Sequence, residues 1–151
     1  MAGFIDALRE GGGWDLDRRL IARPFPQSLP GQPTPRAKWS ALRSELARQS
    51  GVFIVLGGMK MVDGQQVMAD GVLEEFEMAK EAGAFLLPVG STGGAAKQIS
   101  DQLLGSDISS TGADAQRPTD KEIAALSDIS IKAETILSTI EGILNRVAKA
   151  T

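Results

Sequence analysis

One stretch of this chain, residues 51–76, most constrains what it can fold into. It holds a short apolar run, Val52–Leu56, that stops at Gly57 and Gly58. Continuous apolar runs bounded by glycine are typical of buried parallel strands, and a helical pattern follows this one. Because ligands of open α/β sheets lie outside the carboxyl ends of the strands, we expect the two glycines to border a binding site.

The composition excludes several classes of function. The chain has 151 residues and contains neither cysteine nor histidine, which rules out disulfides, thiol catalysis, histidine-centred triads and most zinc sites. We expect no metal site, whereas a lone glutamate could still act as a general base. The net charge of −3 disfavours nucleic acid and anionic membranes as partners. No apolar run approaches the ~20 residues of a transmembrane helix, and the lack of cysteine fits a reducing cytoplasm.

Strand and helix patterns alternate along the chain, which predicts an α/β fold with a mainly parallel sheet. We expect a Rossmann-like three-layer architecture with an amphipathic helix at its C-terminal end. A doubly wound nucleotide fold normally opens on a strand, whereas this chain opens on a helical pattern, so we expect a sheet that lacks its first strand. The predicted strands are residues 20–22, 52–56 and 85–89, and the predicted helices are residues 2–9, 35–49, 68–82, 95–104 and 129–148.

The composition also divides the chain into three parts. Residues 1–104 carry the strand and helix alternation of one α/β domain, and residues 105–118 are rich in serine, aspartate, glycine and threonine, which predicts a flexible loop. The third part, residues 119–151, ends in a helix. One face of that helix carries an apolar stripe of Ala133, Ile136, Ile140, Ile143 and Val147. A stripe this apolar must cover the sheet, a neighbouring domain or a second subunit.

Helical angles single out three charged side chains. At about 100° per residue, Glu75 falls beside the apolar face of its helix, whereas Glu74 points nearly opposite, to solvent. On the preceding helix Arg43 also falls beside the apolar face, and Lys60 sits in the loop directly after the two glycines. The two cations could thus meet phosphates in one crevice while the carboxylate binds ribose hydroxyls. The alternative is that Arg43 and Glu75 are boundary residues of amphipathic helices and Lys60 is a solvated loop charge.

A second glycine-rich segment, GSTGG, joins a predicted strand to a predicted helix. Glycine at such a junction lets backbone N–H groups approach a phosphate at the positive end of the helix, and the two hydroxyls are further donors. The pattern is neither a P-loop nor GxGxxG, so a tight strand-to-helix turn is the alternative. The residues of this segment are Gly90, Ser91, Thr92, Gly93 and Gly94.

Four segments carry a resemblance to a known family. In chain order they are LIARPFPQ, GVFIVLGGMK, ADGVLEEFEMAKEAG and FLLPVGSTGGAAKQI. Together they resemble the SLOG superfamily of Rossmann-like domains, and within it the STALD-type sensor domains of Thoeris antiphage effectors. The resemblance covers roughly residues 2–104. It implies a receptor that binds a cyclic ADP-ribose isomer through Arg43, Lys60 and Glu75, with phosphate or ribose contacts from the STGG loop.

The resemblance also implies partners. In such effectors the sensor regulates a sirtuin-like NADase domain, in the same or a separate chain, within the cytoplasm. We therefore expect a homo-oligomer with neither nucleic acid nor membrane as a partner. We expect no cofactor besides the nucleotide signal itself.

The chain departs from one branch of the superfamily, the cytokinin-activating phosphoribohydrolases. There the two glycines run directly into a threonine and the catalytic glutamate, whereas here KMVDGQQVMAD intervenes and Val72 replaces the threonine. The arginine–lysine pair of those enzymes is reduced to Arg43 followed by Ser44. We therefore expect a non-catalytic sensor. The alternatives are a LOG-like nucleoside-monophosphate phosphoribohydrolase with Glu75 as its acid/base residue, and a stand-alone protein that sequesters the signal.

Overall fold

The computed structural model describes residues 35–112 and 114–150, together with six isolated positions, which are Asp6, Glu10, Gly11, Pro26, Pro30 and Gly31. The chain forms two compact units, residues 1–39 and residues 40–151. Most of the predicted helix at residues 2–9 and all of the predicted strand at residues 20–22 lie outside the described residues. The expected lack of a first strand concerns the same stretch.

Five α-helices and four β-strands lie within the described residues. The helices are α1 (Arg36–Gln49), α2 (Asp70–Glu81), α3 (Gly94–Leu104), α4 (Asp120–Ser127) and α5 (Ala133–Ala150). The strands are β1 (Val52–Leu56), β2 (Met59–Val62), β3 (Gln65–Met68) and β4 (Phe85–Val89), and the 3₁₀ turn Gly90–Thr92 joins β4 to α3. The predicted bounds of β1 and β4 are confirmed, and those of α1, α2 and α3 agree within two residues.

The strand β4 shows why the fold has three layers. It pairs in parallel with β1, all five of its residues are buried, and alternate side chains point to opposite faces. Leu86 packs in a core cluster that takes side chains from α1, α2 and α3. Phe85 and Leu87 pack in a second cluster with Leu126 of α4 and Ile143 of α5. Helices thus cover both faces of the parallel pair, and the predicted three-layer α/β fold is confirmed.

A proline stands inside β4 where no sheet hydrogen bond is lost. Phe85 N–H donates toward β1, to Gly51 O (2.9 Å), whereas Leu86 N–H points the other way, to Gln116 O (2.7 Å). Pro88 has the same direction as Leu86, so its missing N–H faces away from β1. The strand β4 therefore forms the edge of the described parallel pair on that side.

The strand β1 is only partly buried, although its apolar sequence predicts burial along its whole length. Val55 is 3% exposed, but Ile54 and Leu56 are 44% and 63% exposed. Those two side chains lie on the same face of β1 as Val52. The second core cluster, which contains Ile143 of α5, covers this face only at Val52, the first residue of the strand. The expectation that all of β1 is buried was therefore wrong.

A β-hairpin follows the two glycines, where we expected a loop. The strands β2 and β3 pair antiparallel, with Met59 opposite Met68, and Asp63-Gly64 forms the turn. Both turn residues have positive φ, 51° and 79°, as a type I′ turn requires, and Asp-Gly is a preferred pair for that turn. Lys60 accordingly lies on β2, and the prediction that it sits in a loop was wrong.

The C-terminal part holds two helices where one was predicted. Thr119 caps α4 in a capping box, since its hydroxyl accepts Glu122 N–H (3.3 Å) and the Glu122 carboxylate accepts Thr119 N–H (2.8 Å). The helix α5 then begins at Ala133, later than the predicted start at residue 129. Its apolar stripe covers the sheet, because Ile143 is 1% exposed and packs against β4.

The segment of residues 105–118 has neither helix nor strand at its described positions and is anchored at its C-terminal end. Gln116 O accepts the Leu86 N–H of β4. The Arg117 side chain is 6% exposed and donates to Ile108 O (3.0 Å) and to the Asp120 carboxylate (2.6 Å). The division of the chain into residues 1–104, 105–118 and 119–151 stays a prediction.

Candidate functional site

The two glycine segments meet at one edge of the sheet. Gly57 follows β1 and Thr92 follows β4, and because these strands are parallel both residues lie at the carboxyl edge. The Thr92 hydroxyl accepts Gly57 N–H (2.7 Å) and donates to Val89 O (2.6 Å). The Gly57 carbonyl in turn accepts the Ala96 N–H at the start of α3 (2.8 Å). One hydroxyl thus ties the ends of both strands together.

Two of these glycines are required by close contacts as well as by backbone angle. Gly58 has φ 101°, and a Cβ there would lie 2.5 Å from the Cβ of Ala95. Gly94 has φ 58°, and a Cβ there would lie 2.9 Å from Gly57 O. Gly57 also has a positive φ, 61°, but open space where its Cβ would stand. The loops at the carboxyl edge are therefore packed with backbone close to backbone.

Several polar groups that we predicted to bind a phosphate already have partners inside the loop. Gly93 N–H donates to Gly90 O (3.0 Å), and the Thr92 hydroxyl both accepts and donates a hydrogen bond. The Ser91 Oγ, in contrast, is buried and has no hydrogen-bond partner in the part of the chain that the structure describes. A buried hydroxyl without a partner raises the free energy of the fold.

The Arg43 side chain joins α1 to α2. Its Nε donates to Glu75 Oε1 (3.1 Å), its Nη1 donates to Glu74 Oε2 (2.9 Å), and its side chain is 14% exposed. The Ser40 hydroxyl, one turn earlier on α1, donates to the other oxygen of Glu74. A Cβ at Gly71 would overlap Nη2 of Arg43 and lie 3.1 Å from its Cζ, so glycine leaves the room that the guanidinium needs against the first turn of α2.

Glu74 was predicted to point to solvent, and that prediction was wrong. Its carboxylate is bound from α1 by Ser40 and Arg43. Helical angles placed both glutamates relative to the apolar stripe of α2 alone, without the partners that α1 supplies. A signal for Ser40 was present in the sequence, because it lies three residues before Arg43 and so shares its face of α1.

Lys60 reaches the same end of α2 as Arg43 does. Its Nζ pairs with Asp70 Oδ2 (2.9 Å), and the two side chains are 43% and 70% exposed. Asp70 directly precedes Gly71, against which the Arg43 guanidinium lies. The structure therefore brings Arg43 into contact with Glu75, and it brings Lys60 to the first turn of the same helix without an ion pair to Glu75.

The charged cluster and the glycine loops share the carboxyl edge of the sheet. Ala69 N–H, just before α2, donates to Gly58 O (2.9 Å), which ties the start of α2 to the loop after β1. The helix α3 starts at the same edge, directly after the loop of residues 90–94. The amino ends of helices carry partial positive charge, so two helix ends there favour anionic groups.

A second concavity lies at the opposite, amino edge of the parallel pair. Its volume is about 220 Å³, and Gly51 and Phe85, at the starts of the two strands, help to line it. Arg146 of α5 also lines it and pairs with Glu122 of α4 (2.8 Å). None of the residues predicted to bind a ligand lines this cavity.

No group of three or more histidine, cysteine, aspartate or glutamate residues is placed to hold a metal ion within residues 35–112 and 114–150 and the six isolated positions. In the same part of the chain, no helix has both the length and the apolar character needed to cross a membrane.

A match to a known family covers almost the whole chain. The sequence profile of STALD, the Sir2- and TIR-associating SLOG family, matches residues 1–147. The chain belongs to this family. The resemblance to SLOG domains seen in the four sequence segments is thereby confirmed, and the match extends through the C-terminal helices α4 and α5.

The curated relatives of this STALD chain carry the name NAD(+) hydrolase ThsA. The protein of Bacillus cereus (strain MSX-D12) is 33% identical over 139 residues, which are 91% of this chain and 28% of the relative. That of Acinetobacter baumannii (strain 532279) is 36% identical over 111 residues, which are 69% of this chain and 23% of the relative. The STALD chain thus spans about a quarter of the length of these relatives.

Proposed function

We propose that this chain is a non-catalytic sensor domain that binds a cyclic ADP-ribose isomer and regulates an associated sirtuin-like NADase in antiphage defence. The observation that carries the proposal is the contact between Arg43 and Glu75 beside the glycine loops, at the edge of the sheet where α/β folds bind ligands. Membership of a family named for its association with Sir2 and TIR proteins supports it. So does the similarity to part of proteins named NAD(+) hydrolase.

The chemistry of the cluster suits an ADP-ribose nucleotide. A guanidinium binds a phosphate through two N–H groups at once, so Arg43 would hold one phosphate while Lys60 adds a point charge beside it. A carboxylate accepts from the hydroxyl groups of a ribose, which is the role we propose for Glu75. Gly57 and Gly93, where a Cβ would stand in open space, would let the ligand approach the backbone, with Ser91 and Thr92 as neighbouring hydroxyls. The other three predicted glycines, at positions 58, 90 and 94, would contribute by shaping the loops, since a Cβ at each would meet atoms of the protein itself.

Regulation requires that the ligand favour one of two states of the protein through different contacts in each. The apolar stripe of α5 packs on the sheet of this domain, so we propose that the β2–β3 hairpin is the coupling element instead. Lys60 stands on β2 between Met59 and Met61, which are 40% and 66% exposed. A phosphate that draws Lys60 away from Asp70 would shift this apolar strand, and with it the surface offered to an NADase domain or a second subunit in a homo-oligomer.

Titration calorimetry with cyclic ADP-ribose isomers tests the proposal. Arg43→Ala and Glu75→Gln should each weaken binding by about tenfold or more, since each removes a charge-assisted hydrogen bond. Arg48→Ala is the matched control, because Arg48 is an exposed arginine on the same helix. Equal affinity in the wild type and in all three variants would exclude the proposed site.

The same preparation tests the alternative of a LOG-like phosphoribohydrolase, which would use Glu75 as its acid/base residue. We expect no free base after incubation with AMP or cytokinin nucleotides. Release of base that disappears in Glu75→Gln would establish a hydrolase in place of the sensor.

A further inference from the structure

Both cations of the proposed site already have carboxylate partners. Arg43 pairs with Glu74 and Glu75, and Lys60 pairs with Asp70. Among the described residues, three carboxylates thus lie against the two cations before a ligand arrives. A phosphate that approaches either cation meets these carboxylates, so we expect an ion pair to open as it binds.

The guanidinium of Arg43 offers no nitrogen that faces away from α2. Its Nε is bound by Glu75, its Nη1 by Glu74, and its Nη2 lies against Gly71. The guanidinium has five N–H groups, but Nη2 is packed against Gly71, so a phosphate that binds through Nε or Nη1 takes the place of one of the two glutamates. Which glutamate leaves determines how much free energy the ligand must supply.

The geometry points to Glu74 as the group that leaves: Glu74 competes with the ligand for Arg43 and thereby sets the affinity of the site for a phosphate group. This inference rests on the proposed function of the site. Glu74 keeps the hydrogen bond from the Ser40 hydroxyl after Arg43 departs, and this bond distinguishes the two glutamates, since their side chains are similarly exposed, 36% and 30%. Glu75 would keep no such bond, because Arg43 is its ion-pair and hydrogen-bond partner among the described residues.

Glu74 and Glu75 thus have opposite effects on the affinity for the ligand, although they are adjacent in the sequence and chemically identical. Glu75 contributes to affinity through the ribose, whereas Glu74 lowers affinity and makes the site selective. A ligand must carry enough negative charge to replace a carboxylate on Arg43, and a pyrophosphate group meets that requirement better than a neutral nucleoside does.

Titration calorimetry of the whole chain with Glu74→Gln tests this competition, with inorganic pyrophosphate and cyclic ADP-ribose isomers as the two probes. Glu74→Gln should bind both probes about three- to fivefold more tightly than the wild type, the range that an exposed ion pair permits. Glu77→Gln is the control, since it removes the same charge from an exposed position of the same helix. It should leave both affinities within about twofold of the wild type.

A second variant, Ser40→Ala, should change the affinity for the probes in the opposite direction. It allows the competition to be tested even if Glu74→Gln does not fold. Ser40→Ala removes the bond that holds Glu74 when Arg43 leaves, so it should weaken binding of both probes by about twofold. Circular dichroism establishes that each variant is folded. Unchanged affinity in Ser40→Ala, or affinity in Glu74→Gln no higher than in Glu77→Gln, would overturn the inference.

The two probes separate this inference from the proposed function. If cyclic ADP-ribose isomers bind the wild type but Glu74→Gln gains nothing, the sensor stands and the competition is refuted. If Glu74→Gln gains affinity for pyrophosphate alone while no isomer binds any variant, the competition stands and the sensor proposal fails. If neither probe binds any variant, both are refuted.

Discussion

The two halves of the candidate site are built differently. The glycine loops after β1 and β4 are held by hydrogen bonds that each involve a backbone group, and at Gly58 a neighbouring side chain leaves no room for a Cβ. The charged half, around Arg43, consists of side chains that are partly exposed and can exchange partners. The glycine loops thus form a rigid half that fixes the position of a ligand, and the side chains around Arg43 form a movable half that responds to its charge. This arrangement suits a sensor, because only the movable half must change its contacts when a ligand binds.

The largest effect should come from the crowded glycine of the rigid half. Gly58→Ala places a Cβ against Ala95 at a positive φ and should lower the free energy of unfolding by about 3 kcal/mol. The adjacent Gly57→Ala has the same type of backbone angle with open space, and should cost about 1 kcal/mol. Urea unfolding of both variants measures the difference. Similar losses at the two positions would show that close packing is not what distinguishes the rigid half.

A smaller effect should follow removal of the hydroxyl that ties the strand ends together. Thr92→Val keeps the shape but removes the acceptor for Gly57 N–H and the donor to Val89 O. We expect a loss of about 1–2 kcal/mol in the free energy of unfolding, because the exposed Gly57 N–H can regain water whereas the Val89 carbonyl, in a partly buried bond, can do so less readily. Thr92→Ser retains the hydroxyl and should recover most of this loss. A fully stable Thr92→Val would mean that the two loops hold together without this bond.

The movable half should contribute less to stability than to binding. Arg43→Ala should lower the free energy of unfolding by about 1 kcal/mol or less, because both of its glutamate partners are about one-third exposed. The difference from the wild type should shrink at about 1 M salt, where exposed charges are screened. Chemical unfolding at low and high salt provides the measurement. A loss as large as that of Gly58→Ala would contradict the division into a rigid and a movable half.

Asp128, an exposed carboxylate outside the site, should show the smallest of these electrostatic effects on stability. Two hydrogen bonds from Ser130, from its hydroxyl and its N–H, lower the pKa of Asp128 below its ordinary value of 3.8. A lowered folded-state pKa adds stability above the unfolded-state value, and that contribution is lost as the pH falls through the folded-state value. The melting temperature of Asp128→Asn should therefore lie slightly below that of the wild type at neutral pH and converge with it as the pH falls through the folded-state pKa.

Much of the central fold could be predicted because it is encoded locally. The apolar runs that end in glycine gave β1 and β4 their bounds, and the stripe of α5 covers the sheet as one of three predicted alternatives. Two elements were missed although their signals are local as well. Asp63-Gly64 is a preferred hairpin turn, and Thr119 with Glu122 is a capping box before α4.

The site could be predicted less completely, because it depends on how elements pack. Helical angles correctly placed Arg43 and Glu75 on facing sides of α1 and α2, which needs only the periodicity of each helix. They failed for Glu74, whose partners lie on another element, and for Lys60, whose strand was not recognised. The ligand-binding roles of all ten predicted residues stay predictions.

A crystal structure of the chain soaked with a cyclic ADP-ribose isomer tests the central claim most directly. We predict that the ligand lies at the carboxyl edge, with a phosphate on Arg43 in place of Glu74 and a ribose hydroxyl on Glu75. The glycine loops should keep their positions. A ligand in the cavity at the amino edge, beside Phe85 and Arg146, or a guanidinium still bound to both glutamates, would contradict the account.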